Sequence, residues 1–164
     1  AHDFEKKPGP KSEVSSMACE MYFTSGTSGR SKGVLLSHEI VHAHALHCIA
    51  EHRFTSADVW LHVAPMFHLV DAFAMFAITA VCGKHVLLPH AFDAERTLET
   101  MQSKAGKGIT ATNMATSMVN LLLASPASRS LDGRFPSLRL VSCGGAPLSK
   151  AALLRAQRLF LGCC

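Results

Sequence analysis

Along this chain, short runs of apolar residues alternate with longer stretches in which apolar residues recur every three or four positions. The short runs read as strands and the periodic stretches as helices. Strands are predicted over 17–24 (MACEMYFT), 59–66 (VWLHVAPM, stopped by Pro65), 84–89, 108–113 and 138–145. Helices are predicted within 34–53, with Ile40, Ala43, Leu46 and Ala50 on one face, and over 68–82, 93–104, 114–125 and 149–160. Ser37, Asp93 and Ser149 have the short polar side chains that cap helix N-termini, and Gly83 suits the end of the second helix. Residues 125–137 read as a loop. Strand–helix alternation of this kind predicts an α/β layer structure with a largely parallel sheet, whose ligands sit at the carboxyl ends of strands.

Composition narrows the function classes. The 164 residues are 48% hydrophobic and 17% charged, which supplies a core and excludes disorder as the main state. A formal net charge of +4 without a Lys/Arg stripe argues against a nucleic-acid partner. No apolar run is long enough for a transmembrane segment. Residues 1–15 are polar, rich in Lys, Pro and Ser, and read as a linker or tail with no secretory signal. The six cysteines are scattered without a C-x-x-C pair, so reduced thiols in the cytoplasm or an organelle lumen are expected.

The most informative segment is YFTSGTSGRSKGV, residues 22–34. Its glycines let the backbone approach a ligand closely. Thr24, Ser25, Thr27 and Ser28 supply hydroxyls, successive backbone N–H groups can form an anion-binding nest, and Arg30 and Lys32 add positive charge. A phosphate ester fits this chemistry. The segment is neither a Walker A loop, which needs G-K-[ST], nor a G-x-G-x-x-G dinucleotide loop.

This segment closely resembles the signature loop of the adenylate-forming acyl-activating enzymes, the acyl-CoA synthetase and luciferase superfamily. Ser28 stands where that family usually has Thr, and Ser31 where it has Pro. PMFHL (65–69) resembles the family's Pro-Leu-Phe-His segment, LLSH (35–38) its helix start, and VSCGGAPLS (141–149) its Ser-Gly-Gly-Ala-Pro-Leu segment, all in the right order. The resemblance implies that residues 16–164 are part of the layered, large N-terminal AMP-binding domain of an acyl-CoA synthetase-like fold, truncated at its C-terminus. It implies activation of a carboxylic acid by ATP to an acyl-adenylate, then thioester formation with coenzyme A.

On that resemblance Thr24, Ser25, Gly26, Thr27, Ser28 and Gly29 would cradle the β- and γ-phosphates, with Lys32 as a point charge. Gly144, Gly145, Ala146 and Pro147 would pass along the adenine of ATP or AMP. His68 would lie beside the acyl carboxylate and gate its entry, with Phe67 walling the site. Val70, Phe73, Ala74 and Phe76 would be core first and acyl-pocket lining second, and 112–118 would border the acyl tunnel. The apolar 69–81 and 114–123 helices favour a fatty acid as substrate, with aromatic acids of cinnamate or succinylbenzoate type next. The family's Mg²⁺-linked Glu, in a Tyr-Gly-x-Thr-Glu segment, and its C-terminal Lys would lie beyond Cys164. No metal ligand is therefore expected here, and the chain alone is expected to be inactive.

Two other readings stand beside this one. His38, Glu39 and His42 match the H-E-x-x-H zinc motif on a predicted helix, with Glu95 or Glu99 available as a third ligand, although Ala45 and Cys48 break a metzincin continuation. A nucleotide-binding remnant that keeps the fold without the chemistry is the third class.

Overall fold

The computed structural model describes residues 16–24, 31–89, 91–102, 108–132 and 134–160. Its strands are β1 (Ala18–Thr24), β2 (Lys32–Ser37), β3 (Val59–His62), β4 (Lys84–Leu87), β5 (Ala111–Ala115) and β6 (Leu140–Gly144). Its helices are α1 (His38–His52), α2 (Leu69–Ala80), α3 (Ala94–Gln102), α4 (Thr116–Ala124) and α5 (Lys150–Leu159), with a 3₁₀ turn at Pro126–Ser130. The 3₁₀ turn falls in the segment 125–137 predicted as loop. β1 and β2 form an antiparallel hairpin, and β4-β3-β5-β6 form a separate sheet in which every pairing is parallel.

The sheet separates two cores, because successive strand residues face opposite sides. Trp60 and Ala111 point toward α1 and α2, packing with Ala45, Phe54, Ala74, Ala77 and Ile78. Val59, Leu61 and Met114 point toward α3, α4 and α5, packing with Leu98, Val119, Leu122 and Leu159. Both faces of the central strands are covered, which is why β3 is buried at all four positions.

Three predicted details are corrected. Periodicity does not predict β2: residues 34–36 pair with β1, Val34 opposite Tyr22 and Leu36 opposite Glu20, and helix α1 begins only after Ser37. Ser37 does cap α1, accepting from the Ile40 N–H at 3.3 Å. The expected apolar face of α1 points outward, with Ile40 and Leu46 about half exposed, because the packing surface of α2 receives Ala45, Cys48 and Ile49 instead. The left-handed residue ending α2 is Cys82 (φ 57°), not Gly83. Gly83 is needed for another reason: a Cβ there would sit 2.8 Å from Ile78 Cγ2 and 3.2 Å from Asp58 O.

One polar clasp locks the edge of the sheet opposite the strand carboxyl ends. Asp58, 3% exposed, precedes β3; Arg139 precedes β6 and reaches it with Nε and Nη2 at 2.9 and 2.8 Å. The Thr110 hydroxyl (2.6 Å) and the Thr55 N–H (2.8 Å) also donate to the Asp58 carboxylate. Arg139 further donates to His52 O and stacks over Phe54, so three strand starts and the end of α1 share one anchor. Burial alone pushes the Asp58 carboxyl up, but these four donors outweigh it and hold the pKa at about 2.

Candidate active site

Strand order β4-β3-β5-β6 reverses direction between β3 and β5, since the chain steps to one side after β3 and to the other after β4. In parallel sheets the loops at such a reversal diverge to opposite faces and leave a crevice beyond the strand carboxyl ends. The loop after β3 carries His68, the β5–α4 junction carries Thr116, and the turn after β6 carries Gly144, Gly145, Ala146 and Pro147. Two of the sequence segments singled out above, 65–69 and 141–149, therefore open onto one edge of the sheet.

The Gly-Gly-Ala-Pro turn has a defined architecture. Gly145 adopts φ 93°, a conformation that a side chain would strain. A Cβ built on Gly144 or Gly145 meets nothing within 4 Å, so neither glycine is explained by packing and the space above the turn is open. The buried Thr116 holds the turn from the start of α4, donating from Oγ1 to Ala146 O at 2.6 Å. Sequence reasoning placed Thr116 only loosely, at a tunnel border. Thr112 and Met114, from the same segment, are fully buried core residues.

The hairpin presents the phosphate-loop candidates. Thr24 and Lys32 pair at its open end and are both exposed, so β1 and β2 hold the two ends of the intervening loop together. Ser25, Gly26, Thr27, Ser28 and Gly29 lie outside the described residues. The hairpin and the loop after β3 enclose a cleft of about 610 Å³, lined by Met21, Phe23, Thr24, Phe67, His68 and Leu69 among others. Thr24 and His68 thus share one cavity, whereas Lys32 does not line it. Phe67 is 82% exposed and stands at the rim. Beside this cleft, Ile40, Val41, Leu69, Ala72, Phe73 and Phe76 line a smaller and more apolar cavity of about 240 Å³. Ala74 is fully buried in the core, and nothing is described of the Val70 side chain.

Behind His68 lies a polar chain, buried at one end and exposed at the other, that sequence reasoning missed. Trp60 Nε1–H donates to Asp71 Oδ1 at 2.9 Å, and His62 Nδ1 lies 2.6 Å from Asp71 Oδ2. His62 Nε2 lies 2.8 Å from His85 Nδ1, and Thr79 Oγ1 lies 3.0 Å from His85 Nε2. Asp71, His62 and Trp60 are each 5% exposed or less. Burial, followed by the neighbouring His62, pushes the His85 pKa below its usual value, and the Asp71 charge only partly opposes this. The available signal was Asp71 itself, the one charged residue in the otherwise apolar helix LVDAFAMFAITA. An acid in such a setting needs a partner.

His38, Glu39 and His42 do lie on α1, all exposed. Among the described residues no group of three or more His, Cys, Asp or Glu side chains could hold a metal ion. No helix among them is long and apolar enough to cross a membrane. The four described cysteines, Cys19, Cys48, Cys82 and Cys143, are free thiols.

Known proteins share this sequence pattern and fold. The family model described as AMP-binding enzyme matches residues 2–163. A 2-succinylbenzoate–CoA ligase of Listeria monocytogenes is 32% identical over 138 residues, which is 84% of this chain and 28% of that protein. A feruloyl-CoA synthase of Amycolatopsis is 31% identical over 130 residues, covering 79% of this chain and 26% of that protein. Among solved structures, ATP-bound MatB of Rhodopseudomonas palustris superposes with a TM-score of 0.70 at 28% identity, over 84% of this chain and 26% of that one. The chain spans about a quarter of the length of the relatives it matches.

Proposed function

The chain belongs to the AMP-binding enzyme family, and from that premise we propose that it contributes the nucleotide- and acid-binding part of an ATP-dependent acid–thiol ligase. The observation that carries this reading is the shared sheet edge, where an open double-glycine turn after β6 and the His68 loop after β3 flank the strand-order reversal. They are two strands apart, or about 10 Å, a separation that one nucleotide bearing an acyl group can bridge.

In this reading the adenine passes along Gly144, Gly145, Ala146 and Pro147. The loop from Thr24 to Gly29, together with Lys32, holds the β- and γ-phosphates, and His68 orients the incoming carboxylate. A carboxylate oxygen attacks the α-phosphorus, the bond to pyrophosphate breaks, and the acyl-adenylate remains. The coenzyme A sulfur then attacks the acyl carbon and AMP leaves. Hydroxyl and N–H donors of that loop would offset the charge that gathers on the phosphates. Mg²⁺ would neutralise part of that charge, and the Tyr-Gly-x-Thr-Glu segment that the resemblance gives as its carboxylate source is not among these 164 residues. Residues 16–164 are accordingly read as part of an adenylating domain, residues 1–15 as a tail, and the 164 residues alone as incapable of turnover.

The acid is proposed to be aromatic. This replaces the fatty acid expected from the apolar helices. The buried faces of α2 and α4 (Ala74, Ala77, Ile78, Val119, Leu122) are used in packing the two cores. The relatives are named for succinylbenzoate and ferulate. The nucleotide assignment is tested by photolabelling with 8-azido-ATP and mapping the adduct. Labelling within 144–147, competed by AMP, is expected; labelling confined to other segments contradicts the assignment.

A further inference from the structure

The loop 63–68 is stapled at its neck. His62, immediately before it, and Asp71, in the first turn of the helix after it, meet at 2.6 Å, and Trp60 Nε1–H holds the other carboxylate oxygen. The backbone repeats the linkage: the His68 N–H donates to Pro65 O at 3.0 Å, and the Asp71 and Ala72 N–H groups donate to His68 O at 3.0 and 3.1 Å. His68 is therefore one hydrogen bond from a residue whose side chain is tied to the central strand. A carboxylate in a helix's first turn also interacts favourably with the helix dipole.

Asp71 sets the direction of the whole chain. An ionised carboxylate only accepts. With both imidazoles neutral, His62 then donates from Nδ1 and accepts at Nε2, His85 donates from Nδ1, and Thr79 donates to His85 Nε2. One acceptor-only terminus thus assigns every proton from β3 through β4 to the last turn of α2, with no donor facing a donor. Loops released from such anchors lose register, and a displacement of about 1 Å at a reacting centre can cost 100-fold in rate.

We propose that Asp71 is a positioning residue for His68: through Trp60 and His62 it fixes the start of α2, and with it the bend that presents His68 to the incoming carboxylic acid. The inference rests on the role proposed for His68 above.

Asp71→Asn tests it in the intact protein, because the amide is nearly isosteric yet reverses the chain. Its Oδ1 must accept from Trp60, so its Nδ2 faces His62 Nδ1, and His62 and His85 must both become Nε2-protonated. Nitrogen-15 NMR of the histidine rings reads this directly: Nδ1-protonated in the wild type, Nε2-protonated in the variant. In acid-dependent ATP–pyrophosphate exchange the variant is expected to raise the KM for the acid by about 10-fold or more with the KM for ATP unchanged. His85→Gln, which removes the far link and spares the staple, is expected to leave both unchanged. Reversed tautomers with an unaltered acid KM, or both KM values moving together, would overturn the inference. If Asp71→Asn does not fold, Trp60→Phe removes one anchor alone and is expected to raise the acid KM by a smaller factor; no rise overturns the claim. If the wild type shows no exchange, the functional reading fails, and the His68 ring resonances decide this inference separately. They shift in Asp71→Asn if Asp71 positions the loop and stay in place if it does not.

Discussion

Two titratable residues, the buried Asp58 and the half-buried His85, make this molecule sensitive to acid, in different windows. His85 has a folded pKa below its unfolded value of about 6.5, chiefly through burial. The unfolded chain therefore binds more protons, and stability rises with pH through this range. Asp58 is held at about 2 against an ordinary 3.8. Its contribution is complete above the unfolded pKa and is lost as the pH falls from about 4 toward 2; that difference corresponds to about 2 kcal/mol. Chemical denaturation across pH 2–7 should show both slopes. Asp58→Asn should flatten the lower one and leave the upper one, and His85→Gln should do the opposite. A lower slope that survives in Asp58→Asn would contradict the clasp described between β3 and β6.

At the scale of elements, the turn after β6 depends on a helix start. Thr116→Val keeps the shape and deletes the hydroxyl that holds Ala146 O. The cost is expected to be about 1 kcal/mol of stability, with AMP binding weakened about 5-fold or more by calorimetry as the turn loosens. Unchanged AMP affinity would separate Thr116 from the nucleotide turn. The elements themselves were largely legible from residue pattern. Ser37, Asp93 and Ser149 do cap α1, α3 and α5, accepting from Ile40, Arg96 and Ala152 N–H groups. What pattern could not reach were features decided by tertiary contact. β2 exists because β1 offers it a partner, and the inward face of α1 is chosen by α2, since apolar residues surround that helix too evenly to mark one side. The chain from Asp71 to His85 joins β3, β4 and α2 across long separations, with only an acid in an apolar helix as its trace.

For the molecule as a whole, parallel strands covered on both faces and a strand-order reversal account for where the candidate site lies. Motif order along the sequence singled out the His68 and Gly144–Pro147 loops, but not that Thr24 and His68 share a cleft, which depends on how the hairpin packs against α1. Phe23 (70% exposed), Phe67 (82%) and Leu35 (49%) are apolar side chains at the surface of the hairpin and the loop after β3. The most direct measurement of the central claim is exchange of labelled pyrophosphate into ATP by the full-length protein carrying this sequence, with 2-succinylbenzoate or ferulate as the acid. Acid-dependent exchange is expected, reduced at least about 100-fold by His68→Ala and absent from the 164-residue piece alone. Exchange that does not depend on an acid, or that survives intact in His68→Ala, would contradict the account.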